Sequence, residues 1–260
     1  MKEEIKNLIA KIKSLDKKVV IIFISIGVLQ TVSYYYTSRR FFRTNFYYTI
    51  FNGSEFVDLY EYLFWFLGDF ISLFILPLLI ILFLLKEKLS DYGIKFGDVK
   101  FGLKLTLIFL AFMIPLLWIV SATPEFASKY PHLQNAKINW TVFLIYEFGM
   151  LAYMFAWEFV WRGFTLFGLE EKFGYYAILI QMIPFVILHN GKPALETFSA
   201  ILGGIALGIL AFRTRSFIYG VIVHFGIMLT IDLISSLRFR VNDFRMGLDS
   251  LVKVFGQLLK

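Results

Sequence analysis

The sequence predicts an all-α fold: a polytopic transmembrane helix bundle of about seven or eight membrane helices, preceded by an interfacial amphipathic helix. The chain has 260 residues, of which 58% are hydrophobic and 17% charged, and its mean hydropathy is +0.71. A soluble domain carries roughly 25% charged residues. The apolar stretches run unbroken over about 18 residues, which indicates membrane helices and not the alternating strands of a membrane β-barrel.

The first 18 residues predict the interfacial amphipathic helix. Ile5, Leu8, Ile9 and Ile12 fall at helical spacing, opposite several lysines. Such a helix lies in the membrane surface with its apolar side toward the acyl chains. Residues 19–260 are then predicted to form a single integral-membrane domain.

Seven apolar segments are candidates for membrane helices. They are residues 19–36, 56–85, 102–121, 141–168, 175–189, 195–212 and 217–237. As a helix, segment 175–189 rises roughly 22 Å, short of the roughly 30 Å hydrocarbon core, so we expect it not to cross fully.

The distribution of basic residues predicts the orientation. The loop 86–104 is rich in lysine, and positively charged loops remain in the cytoplasm. We therefore expect a multi-pass protein of a prokaryotic plasma membrane with a cytoplasmic N-terminus. Seven full crossings would place the basic tail after Arg238 outside, which is a second reason to expect one incomplete crossing.

Composition also limits the chemistry and the partners. The chain has no cysteine, which excludes disulfides, Cys-ligated metal sites and thiol nucleophiles. Its net charge is +7, and most basic residues stand at the ends of apolar segments, where they contact headgroups. We therefore expect membrane lipids, and no nucleic acid, as partners.

Ionisable residues within the apolar segments are the candidates for a functional site, because a charge at mid-bilayer costs roughly 2.5 to 3.5 kcal/mol. They are Asp69, Glu147, Glu158, Arg162, His189, His224 and Asp232. The third histidine, His132, falls in a polar loop and is expected to be solvated.

Glu158 and Arg162 are four residues apart and share one helix face, where they form either a buried ion pair or part of a reactive site. Glu158 precedes Gly174 by 16 residues and His189 follows it by 15. If the two segments pair antiparallel, both side chains lie roughly 22 to 24 Å from the turn. A carboxylate and an imidazole at one depth can activate water.

Alternatives remain open for the other polar residues. His224 suits either packing or the reactive site, and two histidines with one Glu also match a catalytic zinc set. The H-E-x-x-H spacing is absent, and we predict neither metal nor cofactor. Glu196 stands at the first turn of a helix as a dipole-stabilising or second reactive acid. Asp69 and Glu147 suit packing or proton relay equally.

Three short motifs resemble those of a known family. They read Trp157-Glu158-Phe159-Val160-Trp161-Arg162, then Phe185 with His189, then His224 followed by Phe225-Gly226-Ile227-Met228. In order and spacing they are similar to the E-E-x-x-x-R, F-x-x-x-H and H-x-x-x-N/D motifs of the CAAX prenyl protease and bacteriocin-processing (CPBP, or Abi) family. The resemblance covers residues 86–237, including a K-L-S-D-Y-G-I loop.

The resemblance implies a metal-independent intramembrane glutamic endopeptidase. Glu158 and His189 would activate water, His224 would stabilise the oxyanion, and Arg162 would hold Glu158. The substrate would be a peptide or membrane-protein segment, including prenylated chain ends. The family's first Glu is Trp157 here, and its last Asn or Asp is Met228.

These departures leave two expectations. Either Asp232 or Glu196 supports a working site, or the protein is a catalytically silent relative that acts as a membrane binding or scaffold protein.

Overall fold

The computed structural model describes residues 1–259, which fold into helices without a β-strand in that range. The main helices are α1 (Lys2–Lys13), α2 (Lys17–Tyr47), α3 (Val57–Leu85), α4 (Val99–Val120), α5 (Pro124–Lys129), α6 (Trp140–Phe173), α7 (Tyr176–Ile187), α8 (Ala194–Thr214), α9 (Ile218–Val241) and α10 (Leu248–Phe255). Single helical turns at Leu89–Tyr92 and Gln134–Lys137 lie in the connections.

The predicted polytopic bundle is confirmed. Within the described residues, six helices are long and apolar enough to cross a membrane: α2, α3, α4, α6, α8 and α9. Helix α7 is a shorter apolar helix of 12 residues. The seven predicted segments therefore all correspond to helices, and the upper figure of eight is not reached in residues 1–259.

The amphipathic N-terminal segment is helical but shorter than residues 1–18. Helix α1 ends at Lys13, and Asp16 begins α2 by accepting a hydrogen bond from the Val19 amide. No residue of α1 is buried, and Leu8 is 58% exposed. The interfacial placement of this helix stays a prediction.

Helix α2 extends eleven residues past the predicted boundary at residue 36, because it ends at Tyr47. A break at Ser38, whose hydroxyl caps the Phe41 amide, restarts the helix. Arg39 and Arg43, which the sequence places in a loop, lie on this helical extension. Both bind the fully buried Glu61 of α3, and this neutralisation lets arginines extend an otherwise apolar helix.

The contacts define two ends of the bundle. At one end, which we call the N-terminal face, Lys18 forms an ion pair with Glu87 at 2.9 Å, and the Asp98 amide donates a hydrogen bond to the Thr214 carbonyl at 3.0 Å. At the other end, the loop face, Lys129 Nζ contacts the Gly191 carbonyl, Tyr62 the His132 carbonyl and Trp118 the Met246 carbonyl.

Segment 175–189 and the residues after it therefore reach from one face to the other. Helix α7 begins near the N-terminal face, and the turn after it brings Gly191 to the loop face. Helix α7 has 12 residues and is not among the six helices long enough to cross a membrane, as the sequence predicts, and the residues after it complete the path to the loop face. The tail after Arg238 and the N-terminus consequently lie at opposite ends of the bundle.

Helix α6 is the most buried of the long helices and lies between α3 and α9. Helix α7 packs on α8 at the small residues Gly204 and Gly208. A Cβ on Gly204 would lie 2.9 Å from Met182, and one on Gly208 would lie 2.8 Å from Gln181 and Ile178. The small residues thus permit the close approach that holds the second motif against the bundle.

Candidate active site

Glu158 is the centre of a buried polar cluster. Its side chain is 0% exposed, and its Oε1 accepts hydrogen bonds from Arg162 Nη1 at 3.0 Å and from His224 Nδ1 at 2.7 Å. Arg162 comes from the same helix, one turn later, and His224 comes from α9. The structure therefore brings the first and third motifs into direct contact.

The backbone around Glu158 is adapted to this contact. Directly after Glu158, α6 widens into a π-helical turn over Phe159–Thr165 that contains Arg162. Similar turns also occur in α2 and α3, and the one in α6 holds Arg162 beside Glu158. On α9, Gly220 faces the carboxylate so closely that a Cβ there would lie 2.6 Å from Glu158 Oε2. The absence of a side chain at Gly220 lets His224, one turn later, reach Oε1.

His189 does not bind Glu158 directly. Its Nδ1 lies 2.7 Å from the Phe185 carbonyl, and its ring packs on the Phe185 ring at 4.5 Å between centroids. The same Phe185 ring lies 5.9 Å from the ring of His224. The two imidazoles therefore flank one phenyl ring, and His224 occupies the place beside Glu158 that the resemblance implies for His189.

Hydrogen bonding assigns the protons of both imidazoles. The Glu158 carboxylate and the Phe185 carbonyl only accept, so in the neutral form each Nδ1 carries the hydrogen. Both Nε2 atoms then present lone pairs. The cluster thus contains two buried imidazole bases, since the residues His189 and His224 are 6% and 9% exposed.

Arg162 connects the Glu158 and Phe185 parts of the cluster. It is 0% exposed, and its guanidinium carbon lies 4.1 Å above the Phe185 ring. Within residues 1–259, Arg162 Nε and Nη2 and Glu158 Oε2 have no hydrogen-bond partner. Buried polar atoms are normally hydrogen-bonded, so these three atoms are suited to bind a polar ligand or water.

Comparison with family models identifies the region that carries this cluster. Residues 132–230 match the model of type II CAAX prenyl endopeptidase Rce1-like proteins. Over this region the chain is similar to the CAAX prenyl protease family. The match confirms the resemblance stated from the motifs, over a narrower range than residues 86–237. Comparisons with curated proteins and with solved structures found no match.

The two departures from the family motifs are both buried. Trp157, in place of the first Glu, is 7% exposed and lies 6.4 Å from the His189 ring and 5.8 Å from Trp161. Met228, in place of Asn or Asp, is 5% exposed and follows His224 by one turn. At the two positions where the family has additional polar residues, this protein therefore has large apolar side chains near the histidines.

Glu196 lies near His189 in sequence but has partners of its own. Its carboxylate accepts from Lys192 Nζ at 2.6 Å and from the hydroxyl of Tyr130. The Thr197 hydroxyl, next along α8, donates to the His189 carbonyl. Glu196 therefore holds the loop-face turn around His189 and does not contact Glu158.

Asp232 also lies apart from Glu158. It is 0% exposed and lies close to Glu147 of α6, but within residues 1–259 none of the four carboxylate oxygens of the two acids has a hydrogen-bond partner. Along α9 it stands eight residues after His224, which corresponds to roughly 12 Å. Glu147 and Asp232 therefore form a pair of carboxyl groups that is separate from Glu158.

In the described part of the chain, the arrangement of acidic residues and histidines does not form a metal site. Among the residues that the structure describes, no three His, Asp or Glu side chains are arranged to hold a metal ion.

Two features of the region were missed from the sequence. Gly220 carries a weak signal, since it precedes His224 by one turn. His132, predicted to be solvated, is half-buried and lies 4.7 Å from the Tyr130 ring. Its removal from water lowers the pKa of His132 to about 4.

Proposed function

We propose that this protein is an intramembrane endopeptidase in which the Glu158–His224 pair activates a water molecule to hydrolyse a peptide bond. The similarity of residues 132–230 to the CAAX prenyl protease family supports peptidase chemistry in general. The single observation that carries the finer proposal is the 2.7 Å hydrogen bond between His224 Nδ1 and Glu158 Oε1 in a fully buried setting.

The pair has the elements of a general base. Because Glu158 accepts the Nδ1 proton, Nε2 of His224 is free to take a proton from water, and the carboxylate stabilises the imidazolium that forms. The resulting hydroxide attacks the peptide carbonyl. The proton on Nε2 then passes to the leaving amine as the carbon–nitrogen bond breaks, which returns His224 to its neutral form.

Arg162 and His189 have supporting roles in this proposal. Arg162 keeps Glu158 ionised and fixed, since a carboxylate without a counter-charge is costly to bury. The Nε2 lone pair of His189, next to the Phe185 ring that also contacts His224, is available to accept a hydrogen bond from the substrate. This arrangement gives His224 the water-activating role that the resemblance implies for His189, and it requires neither metal nor cofactor.

We further propose that the substrate is a peptide or membrane-protein segment, including prenylated chain ends. A site enclosed by membrane helices meets substrates that are themselves held by the bilayer. The family description also refers to prenyl substrates.

For the location, the protein is an integral multi-pass membrane protein, and we propose a prokaryotic plasma membrane with the N-terminus in the cytoplasm. Lysines dominate the N-terminal face, as in the loop 86–104. On the loop face, Glu61 neutralises part of the charge of Arg39 and Arg43. The positive-inside rule therefore favours the N-terminal face as cytoplasmic.

The proposal is tested by incubating the purified, reconstituted protein with prenylated C-terminal peptides and transmembrane segments. Glu158→Gln preserves the shape of the side chain and is expected to lower cleavage at least about 100-fold. Glu171→Gln is the matched control, because it makes the same change at an exposed carboxylate of α6 outside the cluster. Equal cleavage by the wild type and by a folded Glu158→Gln protein would refute the proposal.

Trp157 favours a second candidate function, that of a catalytically silent membrane binding or scaffold protein. Its indole occupies the place next to His189 where the family has a glutamate. If this function is correct, the folded wild type cleaves no member of the panel, whereas a bound membrane partner still co-purifies with the Glu158→Gln variant. Cleavage by the wild type would exclude it.

A further inference from the structure

A second charged cluster lies at the loop face, away from the candidate active site. Glu61 of α3 is 0% exposed, and its two oxygens accept from Arg39 Nε at 2.5 Å and from Arg43 Nε at 2.7 Å. The Arg39 guanidinium also stacks 3.9 Å from the Tyr62 ring. Glu61 and Tyr62 therefore hold two guanidinium groups in fixed positions at the end of α2.

Both arginines use only Nε for this ion pair. Within residues 1–259, the terminal nitrogens of Arg39 and Arg43 make no hydrogen bond. They are therefore available to a ligand. The Arg43 side chain is 56% exposed, and that of Arg39 is 34% exposed. The cluster therefore presents immobilised donors of the kind that bind phosphate through two parallel hydrogen bonds.

The local charge is incompletely balanced. Arg39, Arg40 and Arg43 contribute three positive charges, whereas Glu61 and Asp58 contribute two negative charges. Asp58 belongs to this group because it accepts a hydrogen bond from Tyr47 near the end of α2. One positive charge remains, which matches the single charge of a phosphodiester.

An apolar groove adjoins the charged cluster. It has a volume of about 310 Å³ and lies between the end of α2 and the start of α3, with Phe42, Phe46, Phe51, Tyr60 and Phe64 among its lining residues. Phe42 follows Arg39 by three residues, and Phe46 follows Arg43 by three. Each arginine residue thus lies within one helical turn of a residue that lines the groove.

We propose that this loop-face site binds one anionic phospholipid, with its phosphodiester at the arginines and an acyl chain in the aromatic groove. A lipid with a phosphodiester and no positive headgroup supplies the negative charge that balances the arginines. A zwitterionic lipid also carries a positive group, so its net charge is zero and it does not balance them. The groove lies at the ends of two membrane helices, where headgroups meet acyl chains, and it is wholly aromatic or aliphatic in its named lining. A free phosphate would leave this groove unused.

Native mass spectrometry of the full-length detergent-solubilised protein tests this site with phosphatidylglycerol and phosphatidylcholine as probes. We expect one tightly held phosphatidylglycerol, bound at least about fivefold more tightly than phosphatidylcholine. Equal affinity for the two lipids would overturn the proposal. Inorganic phosphate is the third probe, and if it displaces phosphatidylglycerol at equal concentration, the site is a simple anion site and the lipid assignment fails.

Arg43→Gln is expected to weaken phosphatidylglycerol binding about fivefold. Because it removes a partner of Glu61, Arg40→Gln is a second variant that leaves both ion pairs intact, with a similar expected loss. Lys95→Gln is the control, since it removes an exposed positive charge from the N-terminal face. The proposal fails if folded Arg40→Gln and Lys95→Gln proteins bind phosphatidylglycerol equally.

Discussion

His224 Nδ1 on α9 lies 2.7 Å from Glu158 Oε1 on α6, although 66 residues separate them in the chain. Glu158 is fully buried and shares the same oxygen with Arg162. One carboxylate oxygen therefore links a permanent cation to an imidazole within the helix bundle. The cluster and the loop 121–139 each lead to testable predictions.

Removing the charge of Glu158 should destabilise the protein through Arg162. In the Glu158→Gln variant, the guanidinium is buried without a counter-charge, which costs about 3 to 5 kcal/mol. Thermal unfolding in detergent measures this loss. The double variant Glu158→Gln with Arg162→Gln should recover part of it, because the pair is coupled. Strict additivity of the two single changes would show that the ion pair makes no such contribution.

Gly220→Ala should disturb the pair from the α9 side. The new Cβ would meet Glu158 Oε2 at 2.6 Å, so the carboxylate or α9 has to shift and the His224 contact lengthens. We expect a loss of about 1 to 3 kcal/mol in stability and about 100-fold in cleavage. Gly203→Ala is the control, because its Cβ meets nothing within 4 Å. Similar behaviour of the two variants would contradict the close approach.

His132 should make the stability depend on pH. Its folded-state pKa of about 4 lies below the ordinary value of 6.5, so the unfolded chain binds the proton more readily. The contribution of neutral His132 is therefore complete above about pH 6.5 and is lost as the pH falls toward 4, with a size on the order of 2 kcal/mol. Thermal unfolding of wild type and His132→Asn across this interval measures it; parallel curves would argue against the prediction.

Tyr130→Phe should loosen the loop 121–139 without changing its aromatic packing. The variant loses the hydroxyl that donates to Glu196, while Lys192 still binds that carboxylate. We expect a loss of about 1 kcal/mol. Because the chain has no cysteine, a single Ser128→Cys substitution reports loop opening through its thiol labelling rate. An unchanged rate in the Tyr130→Phe background would show that the hydroxyl does not hold the loop.

Hydropathy and motif order predicted the helices and the composition of the candidate site. Glu158, Arg162 and His224 lie together because charges in apolar segments are rare and collect where they can pair. Helical rise gives the depth of a residue but not the direction of its side chain. For that reason the depth of His189 was informative, whereas its separation from Glu158 by the Phe185 ring was not visible in the spacing.

The sequence did not reveal which charged residues pair with one another across different helices. Arg39 and Arg43 read as a loop because their partner, Glu61, belongs to another helix. Likewise, the sequence offers Asp232 and Glu196 as supports of the active site, since nothing local reveals that Asp232 lies close to Glu147 or that Tyr130 binds Glu196. In each case the decisive partner lies far away in sequence.

The most direct test of the Glu158–His224 pair is the single-turnover cleavage rate in proteoliposomes for the wild type, Glu158→Gln and His224→Gln, with Glu171→Gln as control. If the pair activates water, both changes lower the rate by a similar factor of about 1000, and the double variant is no slower than either single variant. Glu171→Gln, at an exposed carboxylate, retains cleavage. Wild-type rates in a folded Glu158→Gln or His224→Gln protein would contradict the account.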